Sequence, residues 1–262
     1  KMKIKIKCFI TALAILAMMP LTVACRSEND EDFPVSTSDA AGAGRVTTQS
    51  AEPKPSESGK GKRVCIDPGH GFSDPGSSSE YIGDLTEKDI NIDFSKILER
   101  ELSRRGYDVF LTHDGESFPK TDKDDGNDIF NKKERIAYFN SVGADYFLSV
   151  HCNTYAGTED VNGVRIYFSE DSQVPVKQPQ TAAKALCEAL EDAFPDYKKP
   201  MSEMTPADDS YYVTHWAKSC ALLIEIGYLT NKTDAENMLS TAWQEKMAVA
   251  VANGIDKYFE EQ

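Results

Sequence analysis

The sequence predicts an α/β fold: a single-domain three-layer sandwich in which a mostly parallel, twisted sheet is flanked by helices. Three observations predict it. Short apolar runs alternate with segments of helical periodicity from about residue 62 to residue 262. The chain has 262 residues, 40% of them hydrophobic, enough to pack one sizeable core. No internal repeat is visible, so a solenoid or propeller is not expected.

The elements follow in order. Arg63–Asp67 is a short apolar run closed by Pro-Gly, and reads as a strand. From Glu87 to Arg105 the apolar positions Ile90, Phe94, Ile97, Leu98 and Leu102 have helical spacing. Thr86 can cap that helix, with Asp89 reinforcing its first turn. Tyr107–Thr112 reads as a strand. Ile129–Val142 reads as a helix with Ile129, Ile136, Ala137 and Phe139 as its apolar set. Tyr146–His151 and Gly163–Phe168 are strands, and Gln180–Phe194 is a helix. Ala221–Ile226 is a buried strand, and Trp243–Phe259 is a closing helix.

The first 61 residues are of a different kind. Lys3, Lys5 and Lys7 precede an apolar run from Phe9 to Val23, too short to span a bilayer comfortably, which reads as an export signal over residues 1–25. Its end, Leu21-Thr22-Val23-Ala24-Cys25, resembles the lipobox of bacterial lipoproteins, although Thr22 stands where that pattern prefers Leu. The resemblance implies lipidation at Cys25, and hence a membrane attachment and a lipid-anchored place in the cell envelope. Residues 26–61 are rich in Ser, Gly, Ala, Pro, Glu and Asp, and cannot bury enough apolar surface to offset chain entropy. They read as a flexible tether. The remainder, 62–262, reads as the globular domain.

Charge narrows the function. With 29 basic and 43 acidic residues the formal charge is −14, so nucleic acid is not expected as a partner. A monomer is expected. The acidic stretch Asp122–Asp128 does not match the spacing of an EF-hand loop and reads as a solvated loop. Cys65, Cys152, Cys187 and Cys220 each fall within an apolar strand or helix pattern, so buried thiols are preferred to disulfides.

Polar residues at the ends of the apolar runs carry the chemistry, because open α/β sheets place function at the carboxyl ends of their strands. Residues 66–71, IDPGHG, put His70 in a Gly-flanked turn. Residues 149–153, SVHCN, put His151 at a strand tip. Residues 221–227, ALLIEIG, put Glu225 in an apolar run, where a carboxylate is costly unless paired and has its pKa raised. Glu87 opens a helix, where the macrodipole favours a carboxylate. Two His and one Glu form a catalytic zinc set with one position left open. Taken singly, each residue also has a structural reading. His215 is read as a surface residue rather than a substrate contact. No G-x-S-x-G elbow is present, and Cys152, beside His151 on a strand, points to the opposite face.

The wider sequence around these residues resembles the Amidase_3 family of N-acetylmuramoyl-L-alanine amidases over about residues 63–259. The matching stretches are IDPGHGFSDPG (66–76), TEKDINI (86–92), GYDVFLTHDGE (106–116), KERIAYFNSVGADYFLSVHCN (133–153), GVRIYF (163–168) and LLIEIGYLTN (222–231). The resemblance implies that His70, Glu87 and His151 bind Zn2+ and that Glu225 is catalytic, moving a proton. Asn153 is read as a substrate contact. The implied activity is hydrolysis of the amide between N-acetylmuramic acid and L-alanine in peptidoglycan, the expected partner. Two alternatives are a non-catalytic peptidoglycan-binding lipoprotein and a zinc peptidase that cuts within the stem peptide. His113, Cys152 and Tyr228 depart from the family's usual Arg, Ala and Phe. Residues 195–215 show no clear family pattern in their first half and are expected to shape the substrate cleft.

Overall fold

A computed structural model describes residues 59–119, 132–175, 177–195, 197, 202–207 and 212–262. The export signal, Cys25, the tether up to residue 58 and the acidic stretch Asp122–Asp128 lie outside the described residues.

Six strands form one sheet in the order β2-β1-β3-β6-β4-β5. They are β1 (Arg63–Pro68), β2 (Asp108–Leu111), β3 (Tyr146–Asn153), β4 (Val164–Ser169), β5 (Ser202–Ala207) and β6 (Cys220–Tyr228). Every neighbouring pair is parallel except β4 with β6, so β4 and β5 run against the other four. The central strands β3 and β6 are buried on both faces, which is why they read as nearly unbroken apolar runs.

Helices cover both faces. On one side pack α1 (Glu87–Arg104), α3 (Lys177–Ala193) and α6 (Thr241–Glu260). Helix α1 turns Ile90, Phe94, Leu98 and Leu102 inward at a spacing of four, a single stripe down its length. On the opposite side α2 (Lys132–Val142) contributes Ile136 and Phe139, which join Phe147, Ala221 and Leu223 in a smaller second core. A helical turn, α4 (Tyr212–His215), packs there through Val213 beside the amino end of β6. The three-layer sandwich expected from the sequence is therefore present, with one helical layer thicker than the other.

Among the described residues, a 3-10 turn (Glu80–Ile82), β5, α4 and α5 (Lys232–Met238) had no sequence expectation. Strands β1 and β3 end in the loop and strand tip that matter next. Their carboxyl ends lie side by side because Pro68 pairs with Val150 in the parallel ladder.

Candidate metal centre

Strand β1 ends in a turn that the local backbone holds tightly. The Gly69 N–H donates to the Val150 carbonyl at 2.7 Å, and Gly71 and Asp74 exchange backbone hydrogen bonds at 2.9 Å. His70 takes φ 64°, a left-handed conformation unusual for a residue with a side chain. Glycine is required beside each of the two imidazoles. A Cβ at Gly69 would lie 2.4 Å from the His151 ring, and one at Gly76, itself at φ 67°, would lie 2.6 Å from His70 Cδ2.

Glu87 is the first residue of α1. Asp89 accepts from the Thr86 backbone N–H at 2.8 Å and from the Thr86 hydroxyl at 2.7 Å, which fixes the helix entry. The Glu87 side chain is 3% exposed. Its Oε2 accepts from the Ser77 N–H at 2.9 Å and its Oε1 from the Cys152 N–H at 3.1 Å. The same Oε1 lies 3.1 Å from His70 Nε2 and 3.1 Å from His151 Nδ1. One ligand atom from each of His70, Glu87 and His151 falls within 4.8 Å of the others. The two rings meet edge to face, 4.9 Å between centroids. The far nitrogen of His70, Nδ1, is 2.9 Å from Asp74 Oδ2, a second carboxylate that orients the ring.

Electrostatics point the same way. Burial works against a charge on Glu87, yet the hydrogen bonds and charges of His151 and His70 hold its carboxyl well below the usual carboxylate range. Burial likewise disfavours a charged His70, but Glu87 and Asp74 raise it to about 9. The pocket thus stabilises a positive charge between these side chains. A metal ion is such a charge, and two imidazole nitrogens with one carboxylate suit zinc and leave a coordination position open.

Glu225 is the direct ladder partner of His151, so both side chains leave the same face of neighbouring strands. Burial raises its pKa to about 7; His151 opposes that shift, Glu87 adds to it and His70 opposes it. Among the described residues its Oε2 is buried without a hydrogen-bond partner. A carboxylate in that state is suited to take up and give back a proton. Asn153 lies past an irregularity in the β3–β6 ladder, and its Oδ1 accepts from the Thr154 N–H at 2.8 Å. His215 sits half-buried on α4 against Trp216.

The sequence reading missed the layer beneath these side chains. Asn91, one helical turn after Glu87, is fully buried; its Nδ2 donates to the Gly69 carbonyl at 3.1 Å and its Oδ1 accepts from Cys152 Sγ at 3.3 Å. Asp67 is 1% exposed and accepts from the hydroxyls of Thr112 at 2.6 Å and Ser149 at 2.7 Å. Arg135 Nη1 pairs with Asp67 at 3.0 Å. His113, at the position where the resemblance leads one to expect Arg, is buried with Nε2 2.6 Å from the Pro68 carbonyl. The one signal available for this layer was Asp67, a carboxylate inside the apolar run of β1. Asn91 and Arg135 look like ordinary helix residues.

The Amidase_3 family model, described as N-acetylmuramoyl-L-alanine amidase, matches residues 64–257. The uncharacterized protein YqiI of Bacillus subtilis is 28% identical over 213 residues, which are 81% of this chain and 90% of that protein. The probable cell wall amidase LytH of Staphylococcus aureus is 28% identical over 200 residues, 76% of this chain but 59% of LytH, so this chain spans little more than half of it. Among solved structures, the N-acetylmuramoyl-L-alanine amidase AmiC2 of Nostoc punctiforme superposes with a TM-score of 0.63 at 28% identity, over 77% of this chain and 99% of that one.

Proposed function

The chain belongs to the N-acetylmuramoyl-L-alanine amidase family, and from that premise we propose that it is a zinc-dependent hydrolase of the bond between N-acetylmuramic acid and L-alanine in peptidoglycan. The observation that carries the reading is one convergence. His70, Glu87 and His151 bring ligand atoms within 4.8 Å of one another, next to a buried Glu225 oxygen with no hydrogen-bond partner among the described residues.

His70, Glu87 and His151 would hold the ion. When bound, zinc supplies Lewis-acid chemistry, polarising the scissile carbonyl and lowering the pKa of water from ~16 toward ~7. Glu225 takes the proton of the attacking water and passes it to the leaving amine of L-alanine. Burial raises its pKa above that of an ordinary carboxyl, which suits it to exchanging a proton. Asp74 keeps His70 aimed through Nδ1. Asn153, at the strand tip beside the site, contacts the substrate.

The rest of the chain completes the proposal. Residues 1–25 direct export, Cys25 carries a lipid, and residues 26–61 tether the domain 62–262, a monomer, close to the cell wall. That placement holds an acidic domain close to an insoluble polymeric substrate.

Digestion of purified peptidoglycan tests the chemistry. The expected products are stem peptides that begin with a free L-alanine amine, with zinc restoring activity after chelation. Fragments that retain L-alanine on the sugar would instead identify a peptidase. Sedimentation with the wall but no cleavage would identify a binding protein. Activity that survives exhaustive chelation would remove zinc from the mechanism.

A further inference from the structure

We propose that Arg135 is a positioning residue for the metal centre: its guanidinium holds the backbone that presents His70. This rests on the reading of His70, Glu87 and His151 as metal ligands and adds what keeps the first of them in place.

The turn that carries His70 has three successive residues at positive φ: His70 at 64°, Gly71 at 125° and Phe72 at 54°. For a residue with a Cβ this region is strained, because the Cβ crowds the following carbonyl oxygen. Such a conformation persists only where the surroundings over-determine it. Here three consecutive carbonyls each accept from a buried or nearly buried side chain. Arg135 Nη1 donates to Pro68 at 2.6 Å, Asn91 Nδ2 donates to Gly69 at 3.1 Å, and Arg135 Nη2 donates to His70 itself. One guanidinium therefore grips the carbonyls on both sides of Gly69. Fixing the His70 carbonyl fixes the peptide plane next to the Cα that bears the imidazole.

The residue type matters. A planar fork with several N–H groups can span two carbonyls and a carboxylate at once, whereas an ammonium is a point charge. Charge is also balanced. Arg135 is 7% exposed and pairs with Asp67, 1% exposed, at 3.0 Å. The pair is neutral as a unit, so it does not repel a cation held above it. The grip comes from α2, which supplies no ligand.

Zinc titration of the full chain, stripped with chelator and followed by calorimetry, tests the assignment. Removing an outer partner of a metal ligand weakens binding about 10- to 100-fold. Arg135→Gln is expected to raise the zinc Kd within that range. Arg135→Lys, which keeps the charge but not the fork, is expected to raise it less. Arg105→Gln is the control. Arg105 is buried at the other end of α1, 2.7 Å from Asp256, and its loss is expected to lower the urea midpoint with the zinc Kd unchanged. Folded Arg135 variants that bind zinc as tightly as wild type overturn the inference and leave the site reading intact. If Arg135→Gln does not fold, Arg135→Lys decides by the same comparison. Loss of fold in both, not restored by zinc, also overturns it and makes Arg135 a purely structural residue. A wild type that binds no zinc overturns the site reading itself.

Discussion

Two glutamates in one site have opposite electrostatic fates, and their neighbours are the cause. Both are buried. Glu87 faces two imidazoles and two backbone N–H groups, which favour its charge. Glu225 sits in an otherwise apolar strand, opposite His151 on one side and Arg165 on the other, and has no hydrogen bond to Oε2 among the described residues, so burial dominates and raises it to about 7. That division separates a ligand from a proton carrier. Glu225→Gln is expected to lower turnover of peptidoglycan about 10²- to 10⁴-fold, the usual range for loss of a general acid/base. It should also change stability in a way that depends on pH. The folded-state pKa of about 7 lies above the ordinary 4.5, so the protonated form contributes stability that is complete below 4.5 and lost as pH rises through 7. Metal-free wild type should therefore lose up to about 3 kcal/mol more than Glu225→Gln between pH 4 and pH 8. Urea melts at the two pH values in chelator measure this. Equal losses in both proteins would show that Glu225 is not the buried, neutral acid described here.

At the scale of elements, short segments do much of the positioning. Helix α1 delivers Glu87 from its first turn and Asn91 from its second, because residues four apart share a face. Helix α5 does comparable work after β6. Asn231 caps it by accepting from the Asp234 N–H at 3.0 Å. The Asp234 carboxylate, 3% exposed, then accepts from the N–H of Gly163 at 2.8 Å, from that of Tyr228 at 3.0 Å, and from the Tyr197 hydroxyl. It ties the end of β6 to the start of β4. Asp234→Ala leaves those donors without their acceptor and is expected to cost about 1–3 kcal/mol of stability, with the zinc Kd unchanged. A change in urea-derived stability below about 0.5 kcal/mol, the level of an ordinary surface substitution, would show that these bonds are replaced by water. Helix α5 was not legible in the sequence because seven residues with Ala235 and Met238 as the buried apolar positions are too short to show a period. Strand β5 was illegible for a different reason. Its sequence, SEMTPA, is half polar and contains Pro206, and it becomes a strand because β4 offers it a free ladder edge.

For the molecule as a whole, the expected α/β sandwich is present, and its thiols follow from it. Cys65, Cys152 and Cys220 lie in the central strands, and burial pushes each thiol above its ordinary pKa. Among the described residues the four cysteines of the domain form no disulfide with one another. Alkylation without reductant, mapped by mass spectrometry, should spare Cys65, Cys152 and Cys220 in the native chain and label them after denaturation. Resistance of any of the three in denaturant would reveal a disulfide and contradict the arrangement. Exposure of the three under native conditions would indicate that the sheet opens readily.

The sequence by itself determined the layered α/β plan, because strands covered on both faces must be apolar runs and a one-sided helix must repeat its apolar residues every three or four positions. It also singled out His70, His151 and Glu225 as polar residues at or near the ends of such runs and Glu87 as a helix opener, while the roles expected of the four came from the family resemblance. Only the tertiary structure decided that these four meet. His70 and His151 converge because β1 and β3 are neighbours in the ladder, and Glu225 joins them because β6 pairs with β3 in a register that sets it opposite His151. Glu87 reaches His151 from 64 positions away in the chain. The support of Arg135, Asp67, Asn91 and His113 was decided there too. A hydrogen bond to a backbone carbonyl asks only for a donor at the right place, and that leaves almost no mark on the pattern of residues along the chain.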